Sequence, residues 1–224
     1  MYLKHYIMIF TWTQRTLGEV ATVFDGPHAT PAKTETGPWY LSISSLVDGR
    51  VDLEQSAHMS EDDLATWTRR VSPLPGDTLF SYETRIGQAG YWGLEEPAAL
   101  GRRMGLLRPA PEVIDAGFLT LSYLGPQFQD VISENTVRGG TVERIPIADM
   151  SNWQLVVPDL AEQCCIAGFF QLLDNMIAIG LRVHANSILG SVGHPLTECG
   201  RYASGSLIIL TFSSNVPHVT NSTW

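Results

Sequence analysis

The sequence has few cysteines and none of the residue spacings that mark common catalytic or cofactor sites. Its three cysteines, Cys164, Cys165 and Cys199, give neither a disulfide framework nor a metal-ligand spacing, which indicates a reducing compartment. The sequence contains no GxSxG, no HExxH, no CxxC pair, no phosphate-binding glycine-rich loop followed by Lys-Ser or Lys-Thr, and no GxGxxG after a strand. We therefore predict no catalytic residue, no metal site and no cofactor in this chain, and a protein that is not an enzyme.

Cationic residues are also scarce. The chain has 14 Lys and Arg against 23 Asp and Glu, a net charge of −9, which argues against a surface devoted to nucleic acid. The charge is segregated, however: six carboxylates and one arginine lie between Asp48 and Asp63, whereas four arginines and two glutamates lie between Arg85 and Arg108. Taken alone, the first block is typical of a solvated acidic face and the second of scattered surface arginine.

Long apolar runs are missing too. No run approaches the roughly 20 apolar residues of a membrane span, and the first 14 residues lack the small-residue cleavage site of a signal peptide. With 44% hydrophobic residues, a chain of 224 residues can bury a substantial core, in one domain with an appendage or in two small domains. We expect a soluble cytoplasmic protein that does not contact a membrane.

An amphipathic helix is the clearest element of the sequence. It follows a strand-like run and Pro158; Asp159 is placed to cap its first turn, and Glu162 is placed to complete a reciprocal cap. Apolar residues then recur every three or four positions: Ile166, Phe169, Phe170, Leu173, Met176 and Ile177. Two interpretations stay open, because this stripe predicts either a helix packed on its own domain or a surface for a second helix.

Before this helix, the sequence predicts many short strands and few helices. Residues 17–24 alternate loosely up to the turn at Asp25-Gly26, and Asp48-Gly49 is a strong hairpin signal. Residues 60–70 predict a short helix with Ser60 at its N-cap. Strand and crossover helix do not alternate as they do in a doubly wound sheet, so the pattern favours an α+β fold.

Several segments resemble the DNA specificity subunit of type I restriction-modification systems. They are LGEVATVFDGPHATP (17–31), PGDTLFSYETRIGQAG (75–90), GRRMGLLRP (101–109) and the segment from Ser133 to Ala178. The resemblance covers residues 14–182, and its most specific part runs from Ile145 to Asp174, through VPDLAEQCCIAGFFQLLD.

The resemblance implies an architecture and a set of partners. Residues 14–157 would form a target-recognition domain with a twisted, mostly antiparallel or mixed β-sheet and short helices. Residues 158–190 would form a long spacer helix that docks the methyltransferase subunit. Full-length members carry two of each, whereas this chain has one, so it resembles a half-subunit that binds a bipartite double-stranded DNA target. The restriction (translocase) subunit is a further implied partner, and S-adenosylmethionine is expected on the methyltransferase.

The length of the helix suits this role. At about 1.5 Å per residue, 20 to 30 residues span about 30 to 45 Å, near the roughly 34 Å helical turn of DNA that separates half-sites in dimeric readers. Two copies related by a twofold axis would pair their helices antiparallel into a homodimer, a coiled-coil-like arrangement. The end of the chain departs from the family, because Gly180, Gly190, Gly193 and Pro195 intervene and residues 191–224 form an atypical tail.

Base recognition needs side chains with paired donors or acceptors, while Lys, Ser and Thr often contact phosphates. The candidate DNA-binding residues, all in predicted loops, are His28, Thr30, Lys33, Thr34, Arg85, Gln88, Arg102, Arg103, Thr136, Arg138 and Thr141. A second functional class also stays open: a degenerate half-subunit that modulates the methyltransferase–specificity complex without reading DNA. A hydrolase using Asp25 and His28 ranks far below both.

Overall fold

The computed structural model describes residues 12–140 and 142–191, with side chains described as far as residue 181. Eleven strands occur in this part of the chain: β1 (Thr13–Thr16), β2 (Ala21–Asp25), β3 (Thr34–Leu41), β4 (Leu46–Val47), β5 (Gly49–Val51), β6 (Ala57–His58), β7 (Thr78–Ser81), β8 (Ala89–Tyr91), β9 (Ala98–Leu100), β10 (Met104–Pro109) and β11 (Gln154–Val157). The α-helices are α1 (Leu17–Val20), α2 (Glu61–Trp67), α3 (Ala116–Leu124), α4 (Pro126–Asn135) and α5 (Leu160–Ser191), and short 3₁₀ turns lie at Ile43–Ser45, Leu53–Gln55 and Ile147–Asn152.

A six-stranded sheet in the order β2-β10-β7-β8-β5-β4 forms the centre of the fold. Its pairs are antiparallel except for β5 with β8. A three-stranded sheet, β6-β3-β9, and an antiparallel pair, β1-β11, complete the strands. The mixed, mostly antiparallel sheets, the short helices and the long final helix confirm the predicted α+β class.

The central sheet is buried on both faces. Successive side chains of a strand point to opposite faces, so Leu79 and Leu106 lie in one hydrophobic cluster while Phe80 and Leu107 lie in another. The second cluster also contains α3 and α4 residues such as Tyr123. This two-sided burial explains why the strands are continuous apolar runs and do not alternate with polar residues.

Local signals place two of the predicted elements correctly. Asp48 and Gly49 have φ angles of 47° and 78°, the left-handed pair that a type I′ turn requires, and they join β4 to β5. Ser60 caps α2, because its hydroxyl accepts a hydrogen bond of 3.2 Å from the Asp63 amide.

The interpretation of residues 17–24 as one alternating segment is wrong in its first half. Leu17–Val20 forms a single helical turn, and only the residues from Ala21 onward form a strand. The turn forms because the Glu19 carboxylate accepts hydrogen bonds from the Thr16 amide at 2.6 Å and from its hydroxyl at 3.0 Å. These two hydrogen bonds stabilise the helical turn, whereas the apolar alternation over Leu17–Val20 is too weak to specify a strand.

The start of α5 is fixed by its first turn. The Asp159 carboxylate accepts from the Glu162 amide at 2.9 Å, which confirms the predicted cap. Glu162 does not return a reciprocal bond to the cap: its carboxylate instead accepts from the indole N–H of Trp12 at 3.2 Å. The helix terminus is therefore tied to the chain that leads into β1.

Gln163 attaches α5 to the domain. Its side chain is 1% exposed; its Oε1 accepts from the Asp115 amide at 2.9 Å, and its Nε2 donates to the carbonyls of Val113 at 3.2 Å and Pro158 at 2.9 Å. One turn later, Ala167 packs against α3. Three hydrogen bonds from one buried amide thus set where the long helix leaves the domain.

We expect Gln163→Ala to lower the free energy of unfolding by about 2 to 3 kcal/mol, because it leaves a buried amide N–H and two carbonyls without partners. Gln171→Ala is the matched control, since Gln171 lies on the same helix and its amide contacts only Asn175 within the described side chains; its effect should stay below about 0.5 kcal/mol. Urea denaturation of the two variants checks this, and equal losses would contradict the assigned role.

Candidate nucleic-acid interface and helix surface

Three loops meet at one end of the central sheet because of its antiparallel order. The last residue of β2, Asp25, pairs with Gly105 near the start of β10, and Met104 pairs with Ser81 at the end of β7. The start of β8 lies beside them, since Ala89 pairs with Phe80. The loop after β2, the β7–β8 loop and the turn before β10 therefore lie side by side, and we call this surface the loop end of the sheet.

Backbone hydrogen bonds join these loops to the segment before Ile145. The Tyr82 amide donates to the Arg103 carbonyl at 3.2 Å, and the Ile145 amide donates to the Tyr82 carbonyl at 2.8 Å. Arg144 forms isolated bridges with Glu83 and with Val137. The loop end is thus a connected surface, and loops far apart in sequence are held in fixed relative positions.

The loop end concentrates positive charge. Of the 14 Lys and Arg in the chain, Lys33 lies in the loop after β2, and seven arginines lie on these loops or on the segments beside them: Arg69, Arg70, Arg85, Arg102, Arg103, Arg138 and Arg144. Three of them have carboxylate partners, with Arg70 at 3.1 Å from Asp25, Arg103 at 2.7 Å from Glu83 and Arg138 at 3.7 Å from Glu143. A locally cationic surface therefore exists on a chain whose net charge is −9.

Two residues of the loop end have left-handed backbone conformations. Thr84 has a φ of 66° and Arg103 a φ of 70°, and the Arg103 guanidinium lies 3.5 Å from the Thr84 hydroxyl. Residues other than glycine rarely adopt this backbone conformation, and each one that does lowers the stability of the fold by about 1–3 kcal/mol. The ion pair of Arg103 with Glu83 holds these two strained residues together.

His28 lies at the centre of a polar cluster. Its Nε2 is 3.1 Å from the Asp25 carboxylate and 3.1 Å from the Arg70 guanidinium, and its Nδ1 is 3.2 Å from the Tyr82 hydroxyl. Burial, with the carboxylates of Asp25 and Glu83 adding to it, raises the pKa of Tyr82 to about 12. The phenol is therefore neutral at physiological pH and acts as a hydrogen-bonding group.

These contacts bear on the hydrolase alternative. Asp25 and His28 are adjacent, as that alternative requires, yet both ring nitrogens of His28 already face Asp25, Arg70 or Tyr82. A general base needs a free lone pair directed at the nucleophile, and this arrangement provides none. Within residues 12–140 and 142–181, no group of three or more His, Cys, Asp or Glu side chains is placed to hold a metal ion.

The surface of α5 is inverted relative to that of a helix packed on its own domain. Apart from Ile166, the side that faces the domain carries small and polar residues: Gln163 is buried, Ala167 contacts α3, and Asp174 forms an ion pair of 2.8 Å with Arg50 of β5. The exposed large residues are Leu160, Phe169, Phe170, Leu172, Leu173, Met176, Ile177, Ile179 and Leu181. A helix that exposes nine large apolar residues has a surface suited to another molecule.

Three solved structures share this architecture. The S subunit of a type I restriction-modification system from M. genitalium superimposes with a TM-score of 0.54 and 17% identity, over 78% of this chain and 41% of that chain. The HsdS subunit from Thermoanaerobacter tengcongensis gives 0.53 and 18%, over 81% and 42%. The chain has the fold of a type I S subunit. Comparison with protein-family models and with curated proteins gives no significant match.

A third solved chain, from a study of complex assembly and conformational transition in a type I restriction-modification system, has a TM-score of 0.54 and 20% identity, over 82% of this chain and 44% of that one. The present chain therefore spans about two fifths of the length of the S-subunit structures that it matches. This share is consistent with the half-subunit expected from the sequence.

The S-subunit fold places the predicted DNA-binding residues unevenly. Six are exposed at or beside the loop end: His28, Thr30, Lys33, Arg85, Arg102 and Arg138. Arg103 is half-buried in its ion pair with Glu83. Thr34 is exposed, and its hydroxyl donates to the Thr36 carbonyl at 2.9 Å.

Two further predicted residues are buried or half-buried, and one lies outside the described residues. Gln88 is half-buried, and its Oε1 is buried without a partner in the described part of the chain. Thr136 is 8% exposed, and its hydroxyl donates to the Ile132 carbonyl at 2.7 Å because it ends α4. Thr141 lies outside the described residues, as does the segment 192–224 with its atypical sequence.

Three arginines at the loop end are not among the predicted DNA-binding residues. Arg69 and Arg70 follow α2, and Arg144 pairs with the segment at Val137. In the sequence, the adjacent pair Arg69-Arg70 stands at the end of a predicted helix, where cations are common. Only the tertiary contact of Arg70 with Asp25 shows that α2 reaches the loop end.

One expectation about α5 needs correction. Ile166 does not belong to the exposed stripe, because it is half-buried against the domain core, while Leu172, Ile179 and Leu181 are exposed and were not predicted. In the described residues one helix, Leu160–Leu181, is long and apolar enough to cross a membrane by length and composition alone, with a mean hydropathy of 1.6. Apolar residues cover more of the helix than one stripe.

For the S-subunit fold we expect Arg138→Ala to lower affinity for target DNA by about 1 to 3 kcal/mol and to relax preference at one base pair, because Arg138 is 56% exposed and only weakly held by Glu143. Arg103→Ala should cost a similar amount. Arg15→Ala is the control, since this substitution removes the same charge from β1, outside the loop end. Anisotropy titrations on target and mutated duplexes check this, and unchanged binding with both arginines removed would eliminate the pair as base readers.

Proposed function

We propose that this chain is a DNA sequence-recognition (specificity) subunit of a type I restriction-modification system, without catalytic chemistry of its own. The observation that carries the proposal is the loop end of the sheet, on or beside which seven of the chain's twelve arginines lie. Rigidly held loops with arginine suit the reading of base edges in the major groove. The S-subunit fold supports the same role.

The long helix supplies the second part of the proposal. Its 32 residues span about 48 Å at about 1.5 Å per residue. Two chains related by a twofold axis would pair their exposed apolar surfaces antiparallel, which places one loop end at each half of a bipartite, palindromic target. The domain-facing contacts of Gln163 and Asp174 leave that surface free for the second copy.

A helix is the partner that we propose for this surface, rather than a lipid bilayer. A span over Leu160–Leu181 would carry Asp174 and its partner Arg50, and with them the domain, into the hydrocarbon. Charged groups are costly there. The proposal accordingly retains a cytoplasmic location.

The catalytic subunits complete the proposed assembly. The methyltransferase subunit would dock on the helical part and supply both the S-adenosylmethionine site and additional cationic surface, with the restriction (translocase) subunit as a further partner. A chain with a net charge of −9 is expected to bind DNA weakly by itself. Its carboxylates repel the DNA phosphates, and this repulsion opposes the attraction at the loop end.

Two measurements test the DNA-reading role. A titration of duplex DNA at several salt concentrations, with and without the methyltransferase, should give a logarithm of affinity that falls linearly with the logarithm of salt concentration. Methylome mapping in cells with and without this chain should reveal a bipartite methylated sequence that depends on it. An unchanged methylome together with no DNA binding in the complex would remove the proposal.

The interaction-module alternative is favoured by one observation. Three of the seven loop-end arginines are matched by Asp25, Glu83 and Glu143, which reduces the charge left for phosphates. In that case the chain would bind the methyltransferase or a full specificity subunit and alter the methylome without contacting DNA. Gel filtration that shows complex formation, combined with a DNA affinity and salt slope of the complex equal to those of the methyltransferase alone, would favour this alternative.

We expect Met176→Glu to convert a dimer of this chain into a monomer, because Met176 is 68% exposed in the middle of the apolar surface and a carboxylate there would be buried without a partner in the pair. Sedimentation equilibrium at micromolar concentrations measures the change, for which we expect at least a 100-fold weaker dimer.

Asn175→Glu is the matched control for this prediction. It adds the same charge one residue away, at an exposed polar position beside the apolar surface, and should leave the dimer largely intact. A monomeric wild-type chain, or equal effects of the two variants, would contradict the pairing of the helices through this surface.

A further inference from the structure

An open cleft of about 570 Å³ lies beside the loop end of the sheet. One wall is the loop after β2, and the other is the C-terminal end of α2 with the second and third residues after it. The lining residues are Pro27, His28, Ala29, Thr66, Trp67, Arg69 and Arg70. Among seven lining residues, two are arginines, one is a histidine and none is acidic, so the cleft suits an anion.

Arg70 forms the fixed wall of the cleft. Its Nη1 lies 3.1 Å from the Asp25 carboxylate, 3.3 Å from the Gly26 carbonyl and 3.1 Å from Nε2 of His28. These contacts join α2 to the loop after β2 and hold the His28 ring at the cleft. The charge of Arg70 is largely balanced by Asp25, so another group must supply the free positive charge.

Arg69 supplies that charge. It is exposed, lines the same cleft, and makes no hydrogen bond or ion pair with any side chain or backbone group in the described part of the chain. The wall beside it is apolar at its base, because Trp67 is partly buried against Tyr40 and Met59. A cation next to a partly dry wall attracts an anion more strongly than one in open solvent.

The helix α2 separates its charges along its axis. Its acids, Glu61, Asp62 and Asp63, occupy the first turn, where the helix dipole favours them, whereas Arg69 and Arg70 follow the last turn about 10 Å away. The acidic block from Asp48 to Asp63 is therefore followed, at the other end of α2, by a cationic edge formed by Arg69 and Arg70. That edge is the one directed at the loop end, through the contact of Arg70 with Asp25.

We propose that this cleft binds a phosphodiester group of the DNA backbone, with Arg69 as the charged contact and the His28 ring beside it. The inference rests on the proposed DNA-reading function and extends its interface to α2. A phosphate fits the site because two of its acceptor oxygens can take parallel hydrogen bonds from the Arg69 guanidinium. Such a contact fixes the position of the domain on the duplex and carries no base information.

The test compares Arg69→Gln with the matched control Arg15→Gln, both in the full chain bound to the methyltransferase subunit. Arg15 is about half exposed on β1 and lies outside the cleft. Anisotropy titrations use a labelled random-sequence duplex and the mapped target duplex at several NaCl concentrations. We expect Arg69→Gln to weaken binding to both duplexes by the same factor, roughly tenfold, and to reduce the salt slope by about one, while Arg15→Gln leaves the slope unchanged.

A competition arm identifies the source of the phosphate. Sodium phosphate replaces NaCl at constant ionic strength, and its excess inhibition of DNA binding should be smaller for Arg69→Gln than for the wild-type chain. A different result would overturn the inference. If Arg69→Gln reduces inhibition by phosphate but changes neither the DNA affinity nor the salt slope, the cleft binds a small phosphate compound and not DNA.

The remaining outcomes separate this inference from the function on which it rests. If wild-type complex binds DNA and Arg69→Gln keeps the wild-type affinity and slope, the cleft is not part of the interface, although the DNA-reading role stands. If Arg69→Gln weakens the target duplex alone, Arg69 reads a base and the phosphate assignment is wrong. If the wild-type complex binds neither duplex, the proposed function fails and the inference fails with it.

Discussion

The amide of Gln163 is the junction on which the arrangement of domain and helix depends. It is almost completely buried and bonds to three backbone groups from two separate segments, so its position allows little freedom to the first turn of α5. A second tether follows eleven residues later, where Asp174 meets Arg50. Because that ion pair is half exposed, it guides the direction of the helix more than it stabilises the fold.

The orientation imposed by these contacts determines what the helix offers to other molecules. Apart from Ile166, the residues of α5 that face the domain are polar or small and most of its large apolar residues face outward, which reverses the usual division of an amphipathic helix. The loop end of the sheet belongs to the domain on which α5 is anchored. The loops and the helix surface therefore have a defined relative orientation, which the proposed reading of paired half-sites requires.

Much of the local structure could be predicted from residues alone. Ser60, Asp159 and the Asp48-Gly49 turn act on neighbours within three positions, so the sequence is sufficient to locate them. The direction of the α5 stripe could not be predicted, because periodicity identifies an apolar face without stating what covers it. The Arg69-Arg70 pair was missed for a related reason: its place in the interface results from a contact with Asp25, 45 positions away in the chain.

The left-handed backbone at Arg103 has a consequence for the turn before β10. Glycine at this position would relieve the backbone strain, yet it would also remove the ion pair with Glu83 and a guanidinium from the loop end. Arginine here therefore lowers folding stability through its backbone conformation and returns part of that stability through its side chain. Substitutions that diversify this turn are consequently limited by how much stability the buried sheet beneath it can spare.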